Sequence, residues 1–346
     1  MSAVYAKPSK VKILFQRYKR GAPPAVVDFV DFLHRPLLNP RLKFPYSGNG
    51  SGYQPFFIVG SGRSGNTLLR KLLMEKSKVV IPPEIPGLGS VIRRFSQVGC
   101  GEWGEIVDKV LMTFHQLADI DVKTYDSSGN SIVYNLANEL NIDFEVLKAE
   151  LRSVPSKEQS LNKMIASIYE AYSQRMFGEV MPWGDKTPWN VFHYPRIKKV
   201  FPQAKYIHML RDGRDCVSSY VNSLGSLMNL DCRSAAHRWR SSVRSVVKIK
   251  EQNPDRFMEV RYEDLVLSPD SIASQVIEFL GFESISKGGV DQKMLGDVNA
   301  SHHRNLLGSI NAQSVGRWKS DLSDHEKNIV TKLILSELTS YGYEVS

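Results

Sequence analysis

The stretch Pro55-Phe-Phe-Ile-Val-Gly60 runs into Ser61-Gly-Arg-Ser-Gly65 and then into Asn66-Thr-Leu-Leu-Arg-Lys-Leu-Leu-Met-Glu-Lys76. A short apolar run between a proline and a glycine suits a strand buried on both faces, the habit of parallel sheets. Apolar side chains at 68, 69, 72 and 73 then repeat with a helical period. Strand, small-residue loop and helix in that order commit the chain to an α/β class with a mainly parallel sheet. They also make a site. Glycines let a ligand approach the backbone closely, and successive N–H groups at a helix N-terminus form a nest for an anion.

The spacing from Gly60 to Gly65, Asn66 and Thr67 is that of the loop G-x-x-x-x-G-K-[ST], with Asn66 where the lysine belongs. A nucleoside triphosphatase needs that lysine on the β- and γ-phosphates, and a downstream acid to hold magnesium. The substitution weighs against such an enzyme and leaves Arg63 as the loop's own cation. Phosphate clamping survives it.

Downstream patterning extends the same class. Val79–Ile81 reads as a second short strand stopped by Pro82 and Pro83, and 102–118 and 157–177 carry helical periodicity. Ala204–Leu210 reads as another buried strand, followed by a helix from about Asp212. Arg233–Lys250 reads as a basic helix and Arg256–Arg261 as an alternating strand. Helices from Ser268 to Leu280, ending at Gly281, and over about 323–341, ending before Gly342, complete the pattern. Residues 283–316 are glycine-rich and poorly patterned. One domain over 55–346, with helices on both faces of a central parallel sheet, is expected after a basic irregular lead-in over 1–54.

Composition bounds the function. With 42% hydrophobic and 23% charged residues, the chain has ordinary globular usage. Three cysteines, none in a C-x-x-C pair, supply neither a disulfide scaffold nor a zinc site, and no other cluster has metal-ligand spacing. No apolar run reaches the roughly 18 residues of a membrane span, so a reducing, cytoplasmic setting is expected. Lys and Arg number 45 against 36 Asp and Glu, a net +9 that favours an anionic partner. No nucleic-acid motif accompanies the charge, which leaves an acidic membrane or a phosphorylated or sulfated small molecule as the partner it favours.

A second constellation joins the first. Arg211 leaves the end of the Ala204–Leu210 strand, where open α/β sheets bind ligands, and Ser219 follows eight residues later in the next helix. Gly184-Asp185-Lys186-Thr187-Pro188, Arg261-Tyr262-Glu263-Asp264-Leu265 and Gly316-Arg317-Trp318 add three more motifs. With these, Arg63-Ser64-Gly65-Asn66-Thr67 resembles the phosphosulfate loop of sulfotransferases that use 3′-phosphoadenosine 5′-phosphosulfate (PAPS). The resemblance runs from about 55 to 320 and is nearest to the glutamate-base tyrosylprotein, carbohydrate and bacterial branches. It implies a P-loop-like fold and transfer of a sulfonate to a hydroxyl of a glycan, small molecule or tyrosine peptide. The product would be adenosine 3′,5′-bisphosphate (PAP), and no metal would be needed. Arg63, Ser64, Gly65, Asn66, Thr67 and Leu68 would then line the 5′ side of the donor, and Arg211 and Ser219 would hold its 3′-phosphate. Tyr262 would pack near the nucleotide, and Arg317 and Trp318 would close over the 3′-phosphate.

Glu84 lies in Ile81-Pro-Pro-Glu-Ile-Pro86, a proline-stiffened loop where a carboxylate is well placed to take a proton from an acceptor. It resembles the glutamate base of those branches, and Lys186 would neutralise charge on the sulfonate. Pro86 departs from branches that place aromatics or a histidine shortly after the glutamate, and 86–180 are expected to line the acceptor pocket. His193 and His208 read as structural. Each candidate also has a plain structural role open to it: solvated loop acid for Glu84, strand-end punctuation for Lys186, core packing for Tyr262 and Trp318, surface ion pairing for Arg211. The rival functions are a P-loop kinase or NTPase with an unusual loop, and a catalytically inactive nucleotide or polyanion binder.

Overall fold

Six strands order the structure, a computed structural model that describes residues 42–48, 54–85, 87–125, 131–222, 230–285 and 310–345. They are β1 (Phe56–Gly60), β2 (Val122–Tyr125), β3 (Ser131–Tyr134), β4 (Gly184–Asp185), β5 (Lys205–Leu210) and β6 (Phe257–Arg261). β4, β1, β5 and β6 form one sheet in that order, every pairing parallel, while β2 and β3 make a separate antiparallel hairpin. Phe56, Phe57, Ile58 and Val59 are all buried, so both faces of the central strand are covered. Alternation sorts them. Phe57, Val59 and Tyr206 pack against the layer that contains helices Leu88–Val98, Trp103–Ala118, Leu161–Phe177 and Asn190–Val200. Phe56, Ile58, Ile207, Met209 and Val260 pack against helices Asn66–Lys76 and Pro269–Leu280. A third cluster joins Leu210 to helices Gly213–Val221, Cys232–Gln252 and Asp324–Ser340.

The topology fixes where a ligand goes. From β1 the chain reaches β4 on one side and then returns to β5 and β6 on the other. Parallel pairing brings all four C-terminal ends to one edge, and the residues that follow them are Ser61, Lys186, Arg211 and Tyr262. Crevices at such an edge, where strand order reverses, are where open α/β sheets bind ligands.

The expected α/β fold is present, with differences of detail. Val79–Ile81 is not a strand: Val80 makes one parallel bridge to Trp183, its N–H donating to Pro182 O at 2.8 Å and its carbonyl accepting from Gly184 N at 2.9 Å. Pro82 and Pro83 have no N–H to continue the ladder. The helix expected from 157 begins at Leu161, after a single 3-10 turn at Ser156–Glu158. Helices Leu88–Val98, Phe144–Arg152 and Asn190–Val200 and the β2–β3 hairpin were not expected from the sequence. Pro195 sits inside the last of these helices and masks its pattern. Of the lead-in, residues 1–41 and 49–53 lie outside the described residues, as do Pro86 and most of the 283–316 stretch. Residues 42–48 are irregular but attached: Tyr46 packs on Phe95 with ring centroids 5.6 Å apart, and Gly48 N donates to Asn162 Oδ1 at 3.0 Å. No described helix is long and apolar enough to cross a membrane.

Trp239 ties the third cluster to the ligand edge. Its indole is fully buried and its Nε1 donates to Arg211 O at 3.1 Å. Trp239→Ala should lower unfolding free energy by about 3–5 kcal/mol, read from a urea titration of both proteins. A loss below about 1 kcal/mol would show that this packing does not carry the edge.

Candidate active site

The loop after β1 is shaped by three residues with positive φ: Gly60 (146°), Arg63 (66°) and Gly65 (88°). Gly65 has no room for a side chain, since a Cβ there would lie 2.4 Å from Tyr262 Cδ2. Gly62 meets the same limit, with Tyr220 Oη 2.2 Å from the Cβ position. Arg63 is not a glycine, and its left-handed backbone costs on the order of 1–2 kcal/mol. The conformation turns its carbonyl toward Arg211 Nη1, which donates at 3.0 Å, and toward Cys216 Sγ at 3.8 Å. Its side chain leaves in another direction, Nε donating to Ser219 Oγ at 2.9 Å. Arg63, Arg211 and Ser219 are therefore one cluster, although 148 residues separate the two arginines. Burial, with Arg211 adding to it, pushes the Arg63 guanidinium below its usual value.

The rest of the loop supports this cluster. Asn66, in the lysine position, points its amide back across the loop, Nδ2 donating to Ser61 O at 2.8 Å. Ser64 Oγ lies 3.4 Å from Cys216 Sγ, and burial raises that thiol to about 12, which leaves it a packing group. The side chain of Leu68 is buried in the apolar cluster with Ile58, so it offers a ligand only its backbone.

Arg211 is held on three sides. Nη2 donates to Ser314 O at 2.5 Å, Asp215 Oδ2 lies 3.9 Å away, and the guanidinium stands 4.4 Å over the Tyr262 ring. Its Nε is buried and has no hydrogen-bond partner among the described residues. Asp215, which the sequence did not mark as a site residue, organises the Gly316–Trp318 turn by accepting from Gly316 N (2.8 Å) and Trp318 N (3.0 Å). Glu263 does the same for the turn after β5, accepting from Asp212 N at 3.0 Å. Burial raises both carboxyls above their usual values. The Trp318 indole is 8% exposed, lies 4.1 Å under the Arg214 guanidinium and packs in the third cluster, so it acts as a structural anchor. Arg317 is half-exposed and paired with Asp321 at 3.1 Å.

Lys186 and Glu84 meet on the other side of the loop. Lys186 Nζ donates to Glu84 Oε1 at 3.0 Å and lies 3.3 Å from Thr67 Oγ1. The lysine side chain is 0% exposed and that of Glu84 46%, so a buried ammonium fixes one end of a carboxylate that still reaches solvent. This geometry gives an acid–base group beside an anion nest. His208 is elsewhere, buried between strands with Nδ1 2.9 Å from Glu259 Oε2, and His193 Nδ1 lies 3.4 Å from Arg196.

A family profile described as the Sulfotransferase family matches residues 55–286. Protein-tyrosine sulfotransferase A of Caenorhabditis elegans is 24% identical over 259 residues, 73% of this chain and 54% of that protein. The nodulation protein NoeE of Sinorhizobium fredii is 25% identical over 317 residues, covering 84% of this chain and 66% of its own length. The chain spans about half the length of several of the curated relatives it matches. Among solved structures, the sulfotransferase domain of a Synechococcus olefin synthase superposes with a TM-score of 0.52 at 22% identity, covering 90% of this chain and 99% of that one.

Behind Lys186, Asp185 is a buried carboxylate that accepts from Tyr169 Oη at 2.5 Å and Asn190 Nδ2 at 2.8 Å. Burial outweighs the Tyr169 bond, those from Thr187 and the nearby Lys186 charge, and raises it to about 6. A folded-state value above the unfolded one means the folded chain binds this proton more tightly. The resulting stability is present below about pH 4 and is lost as pH rises to about 6. Asp185→Asn cannot titrate, so its stability should fall less steeply between pH 4 and 6, by up to about 1.4 kcal/mol per pH unit. Urea titrations at half-unit steps measure both slopes, and identical slopes would refute the shift.

Proposed function

This chain belongs to the Sulfotransferase family, and on that footing we propose that it transfers a sulfonate from PAPS to a hydroxyl, releasing PAP. The observation that carries the proposal is the meeting of Arg63, Arg211 and Ser219 beside the loop after β1. A donor with phosphate groups at both ends of its ribose needs two anion sites, and here two sequence elements supply neighbouring ones. The fit is physical: the loop offers backbone N–H groups at the start of a helix, and the buried Arg211 Nε has a free donor. Bound PAPS would supply the sulfonate.

In this reading Glu84 takes the proton of the acceptor hydroxyl as that oxygen bonds sulfur. Arg63, Lys186 and the loop N–H groups stabilise the charge that collects on the phosphate oxygens as the S–O bond opens, and because they are already held in place they need little reorganisation. Arg211 and Ser219 hold the 3′-phosphate, with Tyr262 beneath Arg211. The acceptor enters from the solvent side of Glu84, and its class, whether glycan, small molecule or tyrosine peptide, is set by contacts beyond this core.

The donor assignment is tested by binding. A charge-assisted hydrogen bond contributes roughly 1.5–3 kcal/mol, so PAP should bind at least about tenfold more tightly than ADP by calorimetry in EDTA, and Arg211→Lys should shrink the difference. Equal affinities, or ATP with magnesium as the best ligand, would replace this reading with a kinase or a general phosphate binder. Glu84→Gln should keep its PAP affinity and lose roughly 100- to 10,000-fold in PAPS consumption across a panel of acceptors. A variant within about threefold of the parent rate would remove Glu84 from the mechanism.

A further inference from the structure

Glu84 is exposed and lies on a segment that is poor in backbone hydrogen bonds. Pro82 and Pro83 have no N–H to give, and Lys186 grips a carboxylate oxygen rather than the backbone. Something else must hold the backbone that carries the base. Two side chains do. Arg70, fully buried one turn along the helix that follows the anion loop, donates from Nε to Ile81 O at 2.7 Å. Thr187, next to Lys186 and 3% exposed, accepts from Ile85 N through Oγ1 at 3.0 Å. The two anchors bracket Glu84, one on each side.

We infer that Arg70 and Thr187 are positioning residues that hold the Ile81–Ile85 backbone so that the Glu84 carboxylate stays against Lys186 beside the anion loop. The inference rests on the reading of Glu84 as base and goes beyond it. One anchor comes from the helix of the donor loop and the other from the turn after β4, so the base is tied in place to both elements that would hold the sulfonate. Thr187 is itself fixed from behind. Asn190 N donates to Thr187 O at 2.9 Å while Asn190 Nδ2 holds Asp185. A shift of the loop by about 1 Å would leave Glu84 chemically intact but misplaced, and misplacement of that size costs about 100-fold in rate.

Thr187→Val removes the hydroxyl and keeps the shape. Arg70→Lys keeps the charge and loses the Nε geometry. Both are measured alone and combined with Glu84→Gln, in the full chain, by PAPS turnover with a tyrosine peptide, or with water where the peptide is not taken. Each single variant should lower kcat about 10- to 100-fold with PAP affinity within about twofold, and hydrogen exchange of the Ile85 amide should quicken in Thr187→Val. On the Glu84→Gln background, Thr187→Val should cost less than about twofold more, because the anchor acts only through the carboxylate. A full additional loss on that background, a parent-like kcat in Thr187→Val, or a PAP affinity that falls as far as kcat would overturn the inference while leaving Glu84 as base. A parent-like rate in Glu84→Gln itself would overturn both.

Discussion

Three side-chain cations, Arg63, Lys186 and Arg211, are gathered at one edge of the sheet, each after the end of a different strand, and holding like charges together there is the constraint on which the surrounding structure depends. Repulsion among buried cations is costly in a low-dielectric interior, and burial with Arg211 nearby already lowers the Arg63 guanidinium. The fold answers with carboxylates placed at the rim and behind. Glu84 pairs with Lys186, and Asp215 lies 3.9 Å from Arg211 while spending its lone pairs on Gly316 and Trp318 N–H groups. Asp215 therefore offsets charge without closing the face where an anion would sit.

Parallel pairing is what lets one small volume collect residues so far apart in sequence. Ser61, Lys186, Arg211 and Tyr262 each follow the last residue of a strand, and the sheet aligns those ends. The two central strands, β1 and β5, are short, largely apolar and covered on both faces, so their register cannot slip without moving phenylalanines or isoleucines out of their clusters. The apolar core thus fixes the spacing of the charges. Trp239 makes the coupling direct, because its buried indole donates to the carbonyl of Arg211.

How much of this was legible in the sequence depended on the range of the interaction. The helix Asn66–Lys76 and strands β1, β5 and β6 were readable because apolar periodicity and bounding glycines or prolines are local signals. The loop and the Arg211–Ser219 spacing were readable for the same reason. Asp215 and Glu263 were not, because what makes them matter is a backbone N–H brought from 101 residues or from 51 residues away. Trp318 could be read either as a lid or as an anchor, and its packing under Arg214, which is the anchor's contact, has no local signal in the sequence. Arg70 looks like an ordinary helix surface residue until Ile81 O is found at its Nε. Asp185 sits in a motif whose lysine attracts attention, while its own carboxylate faces Tyr169 and Asn190.

The asparagine in the lysine position of the loop, which looked like a loss, is compensated in space. Asn66 folds its amide back onto Ser61 O, and the vacated role of a cation beside the loop threonine falls to Lys186, which lies 3.3 Å from Thr67 Oγ1. That ammonium comes from the end of β4, which lies directly beside β1, so the neighbouring strand supplies what the loop lacks. The move has a chemical consequence. A lysine inside the loop reaches the ligand alone, whereas a lysine from β4 arrives already bonded to Glu84. The ion pair therefore has a buried, fixed end at Lys186 and an open, solvent-facing end at Glu84. In the proposed reaction, one ion pair would then serve both the charge that develops on the departing oxygen and the proton of the acceptor.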